Sequence, residues 1–216
     1  MRHLAIGCDA FIILACFSTR PLSAGPLQLP PRVVGRQQTS NGLSVLVERV
    51  PAARLMQFSL LVKSGSATEG RFLGSGVTHL LEHLIFKGDP DRNLASIVER
   101  AGGYTNAHTS FDHTLFTVTV PSENWREPLK ELLRAVFTPV FTQDDFSKER
   151  EVVLREIARA EDQPEYHLSR ALWETAFLVH PYRVPVSGYR DLLQRLGAAV
   201  LDHLLHRGDS DDGVVL

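Results

Sequence analysis

The sequence predicts an α+β fold, an antiparallel-rich mixed sheet packed against helices, and three observations carry that expectation. Alternating apolar and β-branched runs gather between residues 32 and 120, most clearly His113–Val120 (HTLFTVTV). Those runs meet antiparallel neighbours across short turns. Segments with helical periodicity follow the strand-like ones and lie between them, the pattern of helices layered on one sheet.

Taken in order, Arg32–Gln38 and Leu43–Val50 read as strands joined through Asn41-Gly42, a strong hairpin signal. Leu55–Lys63 reads as a further strand, ended by Ser64-Gly65-Ser66. Gly74-Ser75-Gly76 then opens a helix from Val77 to Phe86, stopped by Lys87-Gly88 and Pro90. Arg92–Ala101 reads as a second short helix closed by Gly102-Gly103. Tyr104–Ser110 and His113–Val120 form a strand pair, and Ser122 is placed to cap a helix running to Phe137. Thr142 with Asp145 three residues on resembles a capping box at the start of a long helix through Ala160. Asp162–Pro164 interrupts it, Glu165–Val179 resumes, and a last helix spans Arg190–His206.

The ends differ from this body. Arg2 and His3 precede an apolar run, Leu4–Phe17, followed by small and polar residues to Ala24, the three regions of a secretory signal peptide. Residues 1–24 are expected to be a leader that exports the chain to the periplasm or the exterior, despite the costly Asp9 within it. A buried or disordered N-terminus is the alternative. Ile13-Leu14-Ala15-Cys16 loosely resembles a lipoprotein cleavage box, so lipid anchoring at Cys16 is a second route. Cys8 and Cys16 both lie in the leader, which leaves the mature chain without a thiol ligand and without a membrane span. Residues 25–31 are a Pro-rich spacer, residues 32–206 the domain, and residues 207–216 a polar tail. A formal net charge of −2 excludes the basic excess of a general nucleic-acid binder.

The chemistry concentrates in His79-Leu80-Leu81-Glu82-His83. Histidines at i and i+4 share a helical face and can hold one zinc ion, with Glu82 beside them as a carboxylate free to take a proton. Leu80, Leu81, Leu84, Ile85 and Phe86 make this helix apolar nearly all round, so it is expected to be buried. Burial of two imidazoles and a carboxylate without a partner is expensive, and a metal resolves that cost. A catalytic zinc takes three protein ligands and keeps one open position. Glu149 and Glu156 lie two turns apart on the helix that follows Thr142, and Glu156 sits in its more apolar part. That favours Glu156 as third ligand and Glu149 as the group that orients a histidine. Two solvated glutamates on an amphipathic helix remain the alternative.

HLLEHLIFKG with the later EREVVLRE resembles the pitrilysin, insulysin and mitochondrial processing peptidase family, peptidase family M16. SGSATEG, AGGYTNAHTS, TLFTVTV and HPYRVPVSGY extend the resemblance over residues 32–206. It implies a zinc endopeptidase in which His79, His83 and Glu156 bind one zinc ion, Glu82 is the general base and Glu149 supports them. It also implies that Asn106 and Ala107 lie on an edge strand to which an extended peptide or small-protein substrate adds. Full members pair such a domain with a second, similar one that helps to hold the substrate. The segment after His206 departs from the family pattern, so the last strand is expected to be missing. A non-autonomous subunit that binds zinc and peptide but needs a partner domain is therefore the rival reading.

Overall fold

A computed structural model describes residues 34–40, 42–50, 53–87, 92–197 and Val200. The leader at 1–24 with both cysteines, the spacer at 25–31, the tail at 207–216, and His203 and His206 lie outside the described residues. The chain divides into two units, Met1–Pro51 and Ala52–Leu216.

The first unit contains the expected hairpin. Strand β1 (Val34–Gln38) pairs antiparallel with β2 (Ser44–Glu48), Val34 opposite Glu48 and Gln38 opposite Ser44. The turn closes as the Thr39 N–H donates to the Leu43 carbonyl at 2.9 Å and the Gly42 N–H to Thr39 at 3.0 Å.

The second unit contains a sheet of β3 (Leu55–Val62), β4 (Tyr104–Thr109) and β5 (Thr114–Pro121) in the order β3-β5-β4. The expected α+β architecture of antiparallel strands packed against helices is present, with the described strands in two sheets whose pairings are antiparallel. For β4 and β5 connection length dictates this: four residues join them, and a parallel pair needs a crossover of a dozen or more. Phe116, Val118 and Val120 alternate along β5 and are at most 1% exposed. Burial of each such side chain stabilises the fold by roughly 1.5–3 kcal/mol.

Helix α1 (Val77–Lys87) packs into the same core through Val77, Leu80, Leu81, Leu84 and Ile85. Helix α2 (Leu94–Arg100) starts two residues later than expected because the Asn93 side chain is its cap, accepting from Ser96 N–H at 2.9 Å. Gly102, with φ +80°, ends it, and Gly103 lets the chain run against β5. A Cβ on Gly103 would lie 2.1 Å from the Thr119 carbonyl oxygen, so this close approach serves the sheet itself.

Ser122 does not cap the next helix. Its N–H donates to the Arg54 carbonyl at 2.9 Å, and a turn delays α3 to Arg126–Phe137. The capping box at Thr142 and Asp145 does form, with Thr142 Oγ1 accepting from Asp145 N–H at 3.1 Å, and it opens α4 (Gln143–Glu161). Pro164 begins α5 (Pro164–Ala176), where its missing N–H costs nothing. A 3-10 turn at Pro181–Arg183 leads to α6, which spans only Arg190–Arg195. Leu196 is extended at φ −65°, ψ 127°, with its carbonyl accepting from the Arg150 guanidinium at 2.9 Å, so α6 ends at Arg195; most of the remainder of the expected helix to His206 lies outside the described residues.

Candidate metal centre and cleft

The start of α1 is set by a buried acid. Glu69, 2% exposed, accepts from Gly74 N–H at 3.2 Å and from Thr78 N–H at 3.1 Å, satisfying donors at a helix start that would otherwise lack partners. Burial pushes its carboxyl up to about 7, against the lowering effect of those hydrogen bonds. Nothing in the spacing of SGSATEG marks this role; only the fold does.

Along α1, His79, His83 and Lys87 follow at steps of four, and along α4 Asp145, Glu149 and Glu156 share one stripe. The two stripes meet in antiparallel order. His79 Nε2 lies 4.0 Å from Glu156 Oε2, and His83 Nε2 lies 3.4 Å from the same oxygen. His83 Nδ1 lies 3.5 Å from Glu149 Oε2, and Lys87 Nζ reaches Glu149 Oε1 at 3.1 Å and Asp145 Oδ1 at 3.5 Å. Donor atoms of His79, His83 and Glu156 all fall within 4.8 Å of one another.

Glu82 leaves this stripe. It turns toward β4, where its carboxylate accepts a short hydrogen bond from the Thr109 hydroxyl. Burial raises its pKa, while the Thr109 bond and the nearby His83 and His108 act in the opposite direction. Burial, then the neighbouring His83 and His108, pushes His79 down to about 4. A neutral imidazole with a lone pair is the form that ligates a metal. His79 Nδ1 is buried with no hydrogen-bond partner among the described residues, so only its Nε2 side is served. Two imidazoles and one carboxylate match the donor types of a catalytic zinc, and the set fits that ion.

The site opens into a cleft of about 470 Å³ between β4 and α5, lined in part by His79, Glu82, Ala107, Tyr166, Arg170 and Trp173. Among the described residues β4 pairs on one side only, leaving its outer edge without a strand. Ala107 lines the cleft, whereas Asn106 is exposed on that strand and its carbonyl accepts from the Thr117 hydroxyl at 3.2 Å. His108 also reaches the cleft. His167 instead bonds the Glu161 carbonyl at 2.7 Å, and His180 accepts from Tyr182 N–H at 3.3 Å. The α5 wall was missed from sequence, since Tyr166, Arg170 and Trp173 carry no motif. Thr109 had a usable signal: it shares strand parity with the inward-facing Ala107.

Fold and site together define a class, an α+β domain whose donor set is that of zinc hydrolases. The family model described as insulinase (peptidase family M16) matches residues 44–188, and the chain belongs to that family. An uncharacterized zinc protease of Rickettsia felis is 31% identical over 151 residues, 68% of this chain and 36% of its own length. The crystal structure of a protease from Helicobacter pylori superposes with a TM-score of 0.74 at 28% identity, covering 80% of this chain and 42% of that one. A peptidase M16 inactive domain from Pseudomonas fluorescens shares the fold, with a TM-score of 0.71 at 20% identity, over 79% of this chain and 42% of that one. The chain thus spans well under half the length of the relatives it matches. Among the described residues no helix is long and apolar enough to cross a membrane.

Proposed function

We propose that this chain is the zinc-binding part of an endopeptidase, hydrolysing peptide bonds with His79, His83 and Glu156 as the ligands of one ion and Glu82 as general base. The observation that carries the reading is the placement of Glu82. Its carboxylate borders the cleft beside the three convergent donors, without belonging to their stripe. When bound, zinc would acidify a coordinated water and polarise the substrate carbonyl.

The chain's own residues do the rest. Glu82 takes the proton from the attacking water and passes it to the leaving amine. Burial, which raises its pKa, makes it a stronger base than an exposed glutamate. Thr109 holds it in position. The open edge of β4, at Asn106 and Ala107, offers backbone groups to an extended peptide.

The second reading is a subunit that binds zinc and peptide but cleaves only with a further domain. The length of the relatives favours it: more than half of their span lies outside the matched part. The inactive-domain likeness bears on the fold alone, and the intact donor set argues for a catalytic origin. A quenched peptide library assayed with the zinc-loaded chain, alone and mixed with a C-terminal family domain, separates the readings. Cleavage that vanishes in Glu82→Gln while zinc stays bound supports the catalytic roles. Undiminished turnover in that variant would reject them.

A further inference from the structure

We propose that Lys87 is a positioning residue for the metal centre, acting on His83 through Glu149; the inference rests on the zinc site proposed above. The observation is the antiparallel contact of α1 with α4. His79 meets Glu156, His83 meets Glu156 and Glu149, and Lys87 meets Glu149 and Asp145. Glu156 and Glu149 are each shared between two rungs, and the Lys87–Asp145 pair closes the series.

The sharing is specific at the level of atoms. Glu149 gives Oε1 to Lys87 at 3.1 Å and Oε2 to His83 Nδ1 at 3.5 Å. With Oε1 held, the carboxylate plane is fixed and Oε2 is aimed at the imidazole. A proton kept on His83 Nδ1 leaves the Nε2 lone pair on the side of Glu156, where a metal is held. Lys87 is itself fixed by a second anchor. Asp145 commits Oδ2 to Thr142, at 2.9 Å from its N–H and 2.7 Å from its hydroxyl, which leaves Oδ1 for Lys87 at 3.5 Å. Glu149 is 14% exposed and Lys87 33%, so the carboxylate is largely withdrawn from water while the ammonium keeps partial access to it.

A purely structural lysine, one that only complements the C-terminal end of α1, predicts something different. Its loss would lower stability and leave the affinity for metal alone. A positioning lysine couples to Glu149.

The experiment measures the zinc dissociation constant by competition with a chromogenic chelator, for the full chain and for Lys87→Met, Lys87→Arg, Glu149→Gln and the Lys87→Met/Glu149→Gln pair. Cobalt(II) substituted for zinc reports ligand geometry through its visible absorption. Lys87→Met is expected to weaken zinc binding roughly tenfold to a hundredfold, the range for loss of groups that orient a metal-bound histidine. Lys87→Arg should recover most of the loss, and the double variant should bind no worse than Glu149→Gln alone. The cobalt spectrum of Lys87→Met should shift in the direction seen for Glu149→Gln. Unchanged zinc affinity in Lys87→Met overturns the proposal, as do fully additive losses in the pair. A parent chain that binds no zinc overturns the metal site and this inference together. Loss of peptide cleavage with the coupling intact overturns only the proposed hydrolysis. Thermal midpoints of the metal-free variants detect misfolding, and Lys87→Gln, alone and paired with Glu149→Gln, takes the place of Lys87→Met if that variant fails to fold.

Discussion

Glu69→Gln tests whether the acid at the start of α1 is as strained electrostatically as its burial implies. Glu69 is 2% exposed and pushed up to about 7 from an ordinary 4.5, chiefly by burial. A group whose folded pKa lies above its unfolded one binds more protons in the folded state. Its stabilising contribution is complete below the unfolded value and is lost as pH rises through the folded one. Between pH 5 and 8 the wild type should therefore lose roughly 2–3 kcal/mol through this residue alone. The glutamine variant cannot titrate, so it keeps no such slope. It carries a constant penalty instead, because its amide NH₂ cannot accept from one of the two N–H donors of Gly74 and Thr78. The penalty of the substitution should thus be larger at pH 5 than at pH 8 by that same amount. His79, pushed down to about 4, changes stability with the opposite sign between pH 4 and 6.5, but it does so in both proteins and cancels from the difference. Urea denaturation of metal-free protein at the two pH values supplies the measurement. An equal penalty at both would show that Glu69 ionises ordinarily and would refute the reasoning.

Two further outcomes follow from the geometry. Gly76→Ala should destabilise the domain by about 2–4 kcal/mol, since Gly76 has φ +69° and a Cβ there would lie 2.1 Å from the Ser187 carbonyl oxygen. A shift in urea midpoint worth less than about 0.5 kcal/mol would show that the loop at Ser187 yields freely. On the proposed reaction, Thr109→Val removes a hydrogen bond that favours the ionised Glu82, so the pKa of Glu82 rises further and the acid limb of the kcat/KM profile moves to higher pH. A limb that stays in place or moves down would exclude Glu82 as its source.

What the sequence made legible was whatever one element decides alone. The i, i+4 spacing of His79 and His83, the capping box at Thr142, the alternation of β5 and the hairpin at Gly42 each need only a local period. What it hid depends on which elements meet. Ser122 reads as a cap, but the turn that follows it delays the helix to Arg126. The interruption at Leu196 was hidden because periodicity ignores Arg150, whose guanidinium donates to the Leu196 carbonyl. Glu69, Lys87 and the Trp173 side of the cleft are ordinary letters in one dimension.

The same distinction explains why the motif has this spacing. Successive residues of an α-helix are turned by about 100°, so i+4 lands about 40° from the start and i+3 about 60° on the other side. His83 therefore stays on the His79 stripe and faces α4, where Glu156 and Glu149 wait. Glu82 rotates off that stripe and finds Thr109 on β4. One short helix thus serves two neighbours at once, with His79 and His83 facing α4 and Glu82, the proposed base, facing β4. In the reverse order, H-E-x-x-H, the acid follows the first histidine directly and turns about 100° from it. A base so placed would not reach a strand in the position of β4, and the order H-x-x-E-H is the one that suits this packing of α1 between α4 and the sheet.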